Sequence, residues 1–314
     1  MRDLRRHTTV SPETLKHWAK EGREIVLIDV LTPDHYAEAH IPNARNACVF
    51  QVTFLDQIHA LVPAQDRVIV FYGSSERSRD AVTAAEKLCG AGYANVVVLD
   101  GGIAAWREAG YPFEGEQAGR PWDREEGLRI EDGTYSVNTA KSLIEWRGRN
   151  PNTTHHGTLQ LSDGAITVND GVIGGSFEID MTTIRNINLE GNELHPVLVS
   201  HLKSDDFFFV KLFPRAFFHI KSATPVRTPN WSSPNFKVRG ILDLRGIKKE
   251  IAFQATVNPL PEGEASVEAH FDIDRTRWRV IYGSSRFFEH LGMHLVFDLI
   301  SIQLRLVVKE TQSS

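Results

Sequence analysis

The stretch FKVRGILDLRGIKKEIAFQATV, residues 236–257, alternates apolar and polar side chains along most of its length. Phe236, Val238 and Leu242 share one face, and the alternation resumes after Gly246. Alternation with a period of two, broken by a turn residue, is typical of two antiparallel strands with one buried face. The stretch therefore predicts a β-hairpin.

The same pattern extends through the C-terminal two-thirds of the chain. Alternating apolar faces also occur near residues 177–181, 251–257 and 302–308, and turn signals recur at short intervals between them. Many antiparallel strands joined by short turns favour a meander or a barrel. Two helices are predicted at residues 194–203 and 285–291, where they would cover a barrel mouth.

Phenylalanine is concentrated in this part of the chain, with 13 of the 17 rings after Arg124. A small barrel filled by its own side chains needs fewer large rings, so either an apolar ligand cavity or dense packing accounts for them. The alternating faces supply the candidate lining residues. These are Phe177, Ile179, Met181, Phe208, Phe218, Phe236, Val238, Phe253 and Phe271.

The first third of the chain has a different pattern. Apolar runs at residues 25–28, 68–72 and 96–99 lack alternation and are separated by helical periodicity. Strands buried on both faces and alternating with helices predict an α/β domain with a parallel sheet. Ser11-Pro12-Glu13 and Thr32-Pro33-Asp34 are helix starts, in which a hydroxyl caps the free amides.

Three segments of this region, LIDVLTPDHYAEAHIPNARN, VIVFYGSSERSRDAVTAAEKL and VVVLDGGIAAWREAGYP, resemble a rhodanese domain in sequence and order. The resemblance implies a loop with a catalytic cysteine five residues before an Arg-Ser pair. Here Arg77-Ser78 is present, and counting back places Tyr72 or, with a shift of one residue, Gly73 at the nucleophile position.

The loop consists of Tyr72, Gly73, Ser74, Ser75, Glu76, Arg77 and Ser78 and contains no cysteine. Sulfur transfer and the related phosphatase chemistry both need a thiolate, so the domain is interpreted as a pseudoenzyme. No base is evident in the loop to activate a serine. The loop is either a packed turn or an anion-binding turn. A cysteine that replaces Tyr72 or Gly73 is expected to have a thiol pKa below that of a free cysteine.

Segments from Gly133 to Val308, among them GTYSVNTAKSLIEWRGRN, GGSFEIDMTTI and DRTRWRVIYGSSRFF, resemble the YceI-like family. The resemblance implies an extended lipocalin-like barrel whose apolar tunnel binds a polyisoprenoid, such as an isoprenoid quinone. The charged residues of DRTRW, 274–278, are interpreted as a turn entering a strand, with Arg-Trp stacking.

Composition excludes several classes of function. The 314 residues carry 35 basic and 40 acidic side chains, so the chain lacks the excess positive charge typical of nucleic-acid-binding proteins. No apolar run is long enough to span a bilayer, and the first residues lack the apolar stretch of a secretory signal, so a cytoplasmic location is expected. Two cysteines and scattered histidines favour neither a disulfide framework nor a metal site.

The sequence thus predicts a rhodanese-like domain at residues 1–118, a linker at 119–132 and a YceI-like barrel at 133–310. The predicted function is binding or carriage of an isoprenoid lipid or quinone, with no required cofactor. The rhodanese-like domain would serve as an inactive interaction or regulatory module for a protein partner. The alternatives are a sulfurtransferase or phosphatase with an unusual or displaced nucleophile, and an interaction protein with an occluded barrel.

Overall fold

The computed structural model describes residues 7–119, 130–226 and 232–311. The chain divides into two compact units, Met1–Arg124 and Glu125–Ser314. Most of the predicted linker at 119–132 lies outside the described residues. The boundaries at residues 118 and 133 therefore stay predictions.

The first unit is a parallel five-stranded sheet with helices on both faces, as predicted. Its strands are β1 (Thr8–Val10), β2 (Ile25–Asp29), β3 (Arg45–Asn46), β4 (Val68–Tyr72) and β5 (Val96–Leu99), in the order β1-β5-β4-β2-β3. Its helices are α1 (Pro12–Lys20), α2 (Pro33–Glu38), α3 (Phe54–Leu61), α4 (Asp80–Gly90) and α5 (Gly102–Glu108). Successive β4 side chains point to opposite faces, so Ile69 and Phe71 pack in the cluster with α3 and α4. Val70 and Tyr72 pack in the cluster with α1 and α5.

The two predicted helix starts differ in their caps. Ser11 Oγ accepts a hydrogen bond from the Thr14 amide at 3.3 Å, which confirms the cap of α1. Thr32 precedes α2 but makes no side-chain cap bond, because its hydroxyl lies 2.8 Å from His35 Nδ1 instead. The capping prediction is therefore wrong at Thr32, where a side chain one turn along the helix competes for the hydroxyl.

The second unit is a closed antiparallel barrel, as predicted. Its strands are β6 (Gly133–Val137), β7 (Leu143–Arg149), β8 (Thr154–Asn169), β9 (Val172–Asn186), β10 (Arg215–Pro225), β11 (Phe236–Leu244), β12 (Ile247–Pro259), β13 (Glu264–Asp274) and β14 (Leu299–Glu310). Strands β8 to β14 pair with one another in sequence order. The short strands β6 and β7 lie between β14 and β8 and pair with both, which closes the ring. Since β6 and β7 share one place in the ring, the barrel has eight strand positions.

The hairpin predicted at residues 236–257 is confirmed. Strands β11 and β12 pair from Phe236–Ala255 to Leu244–Ile247, and the turn between them places Arg245 and Gly246 at φ of 54° and 70°. Two successive residues with positive φ match the right-handed twist of the flanking strands. The buried residues of β11 are its even-numbered positions, which face the barrel interior.

One barrel end, called the mouth below, is formed by the β9–β10 connection at residues 187–214 and the β13–β14 connection at 275–298. The first connection contains α6 (Leu194–Lys203), which confirms the helix predicted there. The helix predicted at 285–291 is wrong, because that segment forms turns. Gly283 and His290, with φ of 66° and 58°, are not in helical geometry, and Arg286 forms ion pairs with Asp274 at the end of β13 and with Asp298.

Candidate functional site

The barrel interior holds an apolar cavity of about 130 Å³ on the mouth side, called the proximal cavity below. Inward side chains from all the long strands line it, together with Leu202 of α6 and Phe207 of the loop that follows. Arg275 is the only charged side chain in this lining. The cavity can therefore hold an apolar group and offers it few polar partners.

A second apolar cavity of about 90 Å³, called the distal cavity, lies further from the mouth. Its lining comes from the far ends of the same strands and includes Val168, Val257, Ala265 and Val308. Every lining side chain is apolar apart from the hydroxyl of Tyr135. The two separate cavities lie one behind the other along the barrel interior.

Aromatic rings separate the two cavities. Phe177, Phe218 and Phe253 line both, as does Leu304. The ring centroids of Phe177 and Phe218 are 5.3 Å apart, those of Phe218 and Phe253 are 5.6 Å apart, and Phe271 stacks on Phe253 at 4.3 Å. We call Phe177, Phe218, Phe253 and Phe271 the aromatic row, and its first three rings form the partition.

Gly240 on β11 makes this arrangement possible. It lies on the inward face of the strand between those that carry Phe218 and Phe253. A Cβ atom at Gly240 would lie 2.4 Å from Cζ of Phe218, closer than van der Waals contact allows. The missing side chain therefore leaves room for the Phe218 ring to reach across β11.

All nine residues predicted to line a cavity do so; eight lie on the inward face of barrel strands, and Phe208 lies in the loop after α6. The proximal cavity is lined by Phe177, Ile179, Met181, Phe208, Phe218, Phe253 and Phe271, and the distal cavity by Phe177, Phe218, Phe236, Val238 and Phe253. Their contact with a ligand stays a prediction. Sequence reasoning missed Ile144 and Trp146, although their spacing of two on a strand was a usable signal.

Trp146 brings a buried polar atom to the proximal cavity. The side chain is 8% exposed, and its indole nitrogen has no hydrogen-bond partner among the described residues. A buried N–H group without a partner costs free energy that an acceptor oxygen nearby would recover. The ring of Trp146 thus lines the cavity, while its indole N–H is a buried donor without a partner in the described residues.

Arg275, also missed from the sequence, is 1% exposed beneath the mouth. Its guanidinium donates to the carbonyl oxygens of Phe297 at 3.1 Å, Val280 at 2.6 Å and Val296 at 3.0 Å. Burial lowers the pKa of this guanidinium, and the carboxylate of Asp298 opposes the shift. Arg275 therefore fixes the β13–β14 connection over the cavity and leaves few donors for a ligand.

The DRTRW segment is a turn, as predicted, but it follows the end of β13 at Asp274 and does not enter a strand. Asp274 caps a short 3₁₀ helix, Arg275–Trp278, by accepting a bond from the Thr276 amide at 3.0 Å. The guanidinium of Arg277 lies 5.2 Å from the ring centroid of Trp278, which confirms the Arg-Trp contact. No signal in the sequence distinguished the buried Arg275 from its exposed neighbour Arg277.

In the first unit, the rhodanese-like loop begins at the end of β4. Tyr72 is fully buried, and its hydroxyl accepts a hydrogen bond from the Ile41 amide at 3.0 Å. Burial raises the pKa of the Tyr72 phenol strongly, and the nearby Asp29 carboxylate raises it further. The side chain at the family's nucleophile position is therefore a protonated phenol inside the core.

Asp80, the first residue of α4, fills the space inside the loop. Its buried carboxylate accepts hydrogen bonds from the Ser74 amide at 3.0 Å and the Ser74 hydroxyl at 2.9 Å. An added Cβ at Gly73 would lie 1.9 Å from Asp80 Oδ1. A side chain at Gly73 would therefore have to displace the Asp80 carboxylate, and the reactivity of a Gly73→Cys thiol stays a prediction.

Asp80 also changes the interpretation of the loop residues. The sequence showed no histidine and no second acid beside Glu76 in the loop, but folding brings the Asp80 carboxylate to Ser74. An external anion would have to compete with it for the Ser74 amide. Glu76 and Arg77 are exposed, and Ser78 N donates to the Ser75 carbonyl at 3.1 Å. Anion binding by this loop stays a prediction.

Two further features bear on function. Within the described residues, no helix is long and apolar enough to cross a membrane. In the same parts of the chain, no group of three or more His, Cys, Asp or Glu side chains is placed to hold a metal ion.

The structure defines a protein with an α/β unit of rhodanese type and a closed barrel with an apolar interior. Comparison with protein families finds a YceI-like domain at residues 135–308 and a Rhodanese-like domain at residues 11–109. The first match covers more than half of the chain. The chain therefore belongs to the YceI-like family and carries a rhodanese-like domain in front of the barrel.

Curated relatives match the first unit. The thiosulfate sulfurtransferase GlpE of Pseudomonas entomophila is 33% identical over 108 residues, which cover 34% of this chain and 91% of GlpE. The probable adenylyltransferase/sulfurtransferase MoeZ of Mycobacterium tuberculosis is 33% identical over 107 residues, 33% of this chain. This chain spans only 26% of the length of MoeZ.

Solved structures match the barrel. BcnA of Burkholderia cenocepacia aligns with a TM-score of 0.42 and 17% identity, over 55% of this chain and 98% of BcnA. A polyisoprenoid-binding domain of Saccharophagus degradans, implicated in plant cell wall breakdown, aligns with a TM-score of 0.41 and 13% identity. That alignment covers 56% of this chain and 98% of the domain.

Proposed function

We propose that the barrel binds a long apolar chain, and that a polyisoprenoid such as an isoprenoid quinone fits it best. The observation that carries the proposal is the pair of apolar cavities along the barrel, separated by side-chain rings rather than by backbone. Rings can rotate aside for a ligand, whereas a wall of paired strands cannot. Membership of the YceI-like family supports the same class of ligand.

The energetics of such a ligand are favourable. Each CH₂ group moved from water into the cavity contributes about 0.8 kcal/mol, so a chain gains affinity from length without specific polar contacts. The ring of Trp146 lines the proximal cavity, and its partnerless N–H would give an oxygen of the head group one directional contact once the ring turns toward the bound ligand. An isoprenoid with a carbonyl-bearing head group would satisfy both features, and no cofactor is required for this role.

For the rhodanese-like domain we propose a role in contact with a protein partner or in regulation, without sulfur transfer. The buried phenol of Tyr72 at the nucleophile position and the carboxylate of Asp80 inside the loop support this. A thiolate is required because the transferred sulfur must be held as a persulfide and then released. Neither a phenol nor a serine hydroxyl provides that chemistry. A cytoplasmic location stays a prediction.

The barrel proposal is tested on the purified full-length chain. Native mass spectrometry followed by lipid extraction is expected to reveal a co-purified isoprenoid, and the delipidated protein should bind a prenyl quinone with quenching of Trp fluorescence. The quinone head group without a chain is the control. Equal, weak binding of both compounds, with no rise in the thermal midpoint and no extracted lipid, would contradict the proposal.

The proposal for the first unit needs a separate assay. Transfer of sulfur from thiosulfate to cyanide is expected to stay at the rate of buffer alone, while an active thiosulfate sulfurtransferase serves as the positive control. Turnover that Ser74→Ala abolishes would instead identify the Ser74–Asp80 pair as catalytic.

A further inference from the structure

Exposed apolar side chains of the described barrel unit are concentrated at one end. Ten large apolar residues of the described barrel unit are exposed, and nine of them lie on or beside the two connections that form the mouth. Val172, at the start of β9, is the one at the opposite end. Exposed apolar surface gathered in one place marks a site of interaction rather than scattered surface residues.

The exposed side chains lie on both sides of the mouth. Leu194 and Val197 project from α6, with 61% and 62% of their surface exposed. Phe287, Phe288 and Met293 belong to the opposite connection, and Met293 is 85% exposed. The two connections touch through His201 of α6 and Tyr282, whose ring centroids are 4.6 Å apart. The exposed groups therefore form one apolar rim, defined by these two connections.

The rim is continuous with the interior of the barrel. Phe297 lines the proximal cavity and is also 45% exposed at the surface. A ligand leaving the cavity beside Phe297 would move directly onto the apolar rim. For a chain that is nearly insoluble in water, such a path avoids transfer through solvent.

The charges of the rim suit a lipid surface. Residues 187–214 and 275–298 carry six acidic side chains and six basic ones, of which Arg275 is buried, whereas the whole chain has a net charge of -5. A neutral rim is not repelled by an anionic or a zwitterionic bilayer, and apolar side chains can enter the interface between head groups and acyl chains. The remaining surface of the chain carries the excess negative charge.

We propose that the mouth docks onto a lipid bilayer, so that an apolar chain passes directly between the bilayer and the proximal cavity. The passage of the chain rests on the proposed function of the barrel. Docking itself rests only on the rim. An experiment can therefore contradict bilayer docking and binding of the chain in the barrel independently of each other.

The test is flotation of the full-length chain with phosphatidylcholine vesicles, at low and high salt. The variant Phe287→Ser/Phe288→Ser/Met293→Ser is expected to lose about tenfold or more of its vesicle binding, because three exposed side chains lose their apolar surface. Val172→Ser, exposed at the far end, and Val52→Ser, exposed in the first unit, are the matched controls and should bind as the unchanged chain does. Salt should have little effect, since burial drives the interaction.

The fold is checked by the thermal midpoint, and Met293→Ser alone serves if the triple variant is unstable. Vesicle binding that is equal in the unchanged chain, the rim variants and the controls would overturn the proposal. So would light scattering that finds a dimer of this chain lost in the rim variants, since the rim would then be a self-association surface. Vesicle binding without quinone binding in solution would support docking and refute the carrier function.

Discussion

The aromatic row should set the length of chain that the barrel accepts, and Phe218 is the residue to change. Its ring is 2% exposed and lines both the proximal and the distal cavity. Phe218→Ala removes the ring from the partition and joins cavities of about 130 and 90 Å³ with the volume that the ring occupied. The cost is about 3–5 kcal/mol in the free energy of unfolding, as for other buried Phe→Ala changes.

Chain length then becomes the measured variable. In the unchanged protein, carbons of the ligand chain that cannot pass the partition do not enter the distal cavity, and they add little to the affinity. In the variant, each isoprene unit of five carbons that enters the distal cavity contributes up to about 4 kcal/mol. Titration with prenyl quinones of increasing length, followed by Trp fluorescence, should therefore give a steeper dependence of affinity on length for Phe218→Ala. The thermal midpoint of each bound form provides a second measurement.

Phe271→Ala is the matched control, because Phe271 belongs to the aromatic row but lines only the proximal cavity. That change enlarges one cavity and leaves the partition in place, so the dependence on length should match the unchanged protein. If Phe218→Ala and Phe271→Ala give the same length dependence, the rings do not limit the chain and the partition has no role in selectivity.

Three further changes test other contacts. Gly240→Ala should displace the Phe218 ring and alter length dependence in the titration above, whereas Ala252→Gly, on the outward face of β12, should not. Burial raises the pKa of Asp29 from 3.8 to about 6, so its folded form binds a proton more readily than its unfolded form. The free energy of unfolding should therefore fall by about 3 kcal/mol as pH rises from below 4 to above 6. Hydrogen exchange of the β4 amides measures this change, and Asp29→Asn should remove it. The same pH response in both proteins would contradict the prediction. Gly73→Cys should give a destabilised domain with an unreactive thiol, and only the added change Asp80→Ala should lower the thiol pKa below 8.5, as measured by alkylation rate against pH.

Much of the fold could be predicted because the burial of a strand face produces a pattern of apolar residues that is visible within a few positions of the sequence. The even-numbered apolar positions of residues 236–244 face the barrel interior, and the unbroken run at 68–72 is buried on both faces of its sheet. Turn residues such as Gly246 mark where strands end, since they adopt backbone angles that other residues avoid. The segment 285–291 forms turns in which Arg286 pairs with Asp274 and Asp298, each 12 positions away, and neighbouring residues in the sequence do not indicate such contacts.

Candidate site residues divide in the same way. Alternation selected Phe177, Phe218 and Phe253 as members of one face, but their contact across the barrel depends on strand register and on the missing side chain of Gly240. Asp80 was absent from the sequence interpretation because its carboxylate reaches Ser74 only through the turn between β4 and α4.

The sequence by itself determined that an α/β unit precedes an antiparallel barrel, which side chains share a face along each strand, and that no cysteine occupies the rhodanese-like loop. Tertiary structure alone decided which faces enclose the cavities, that rings divide them, and that Arg275 lies buried beneath a mouth with an apolar rim. The physical reason is distance along the chain. Periodicity reports the environment of neighbouring residues, whereas these contacts join strands and connections that only barrel closure brings together.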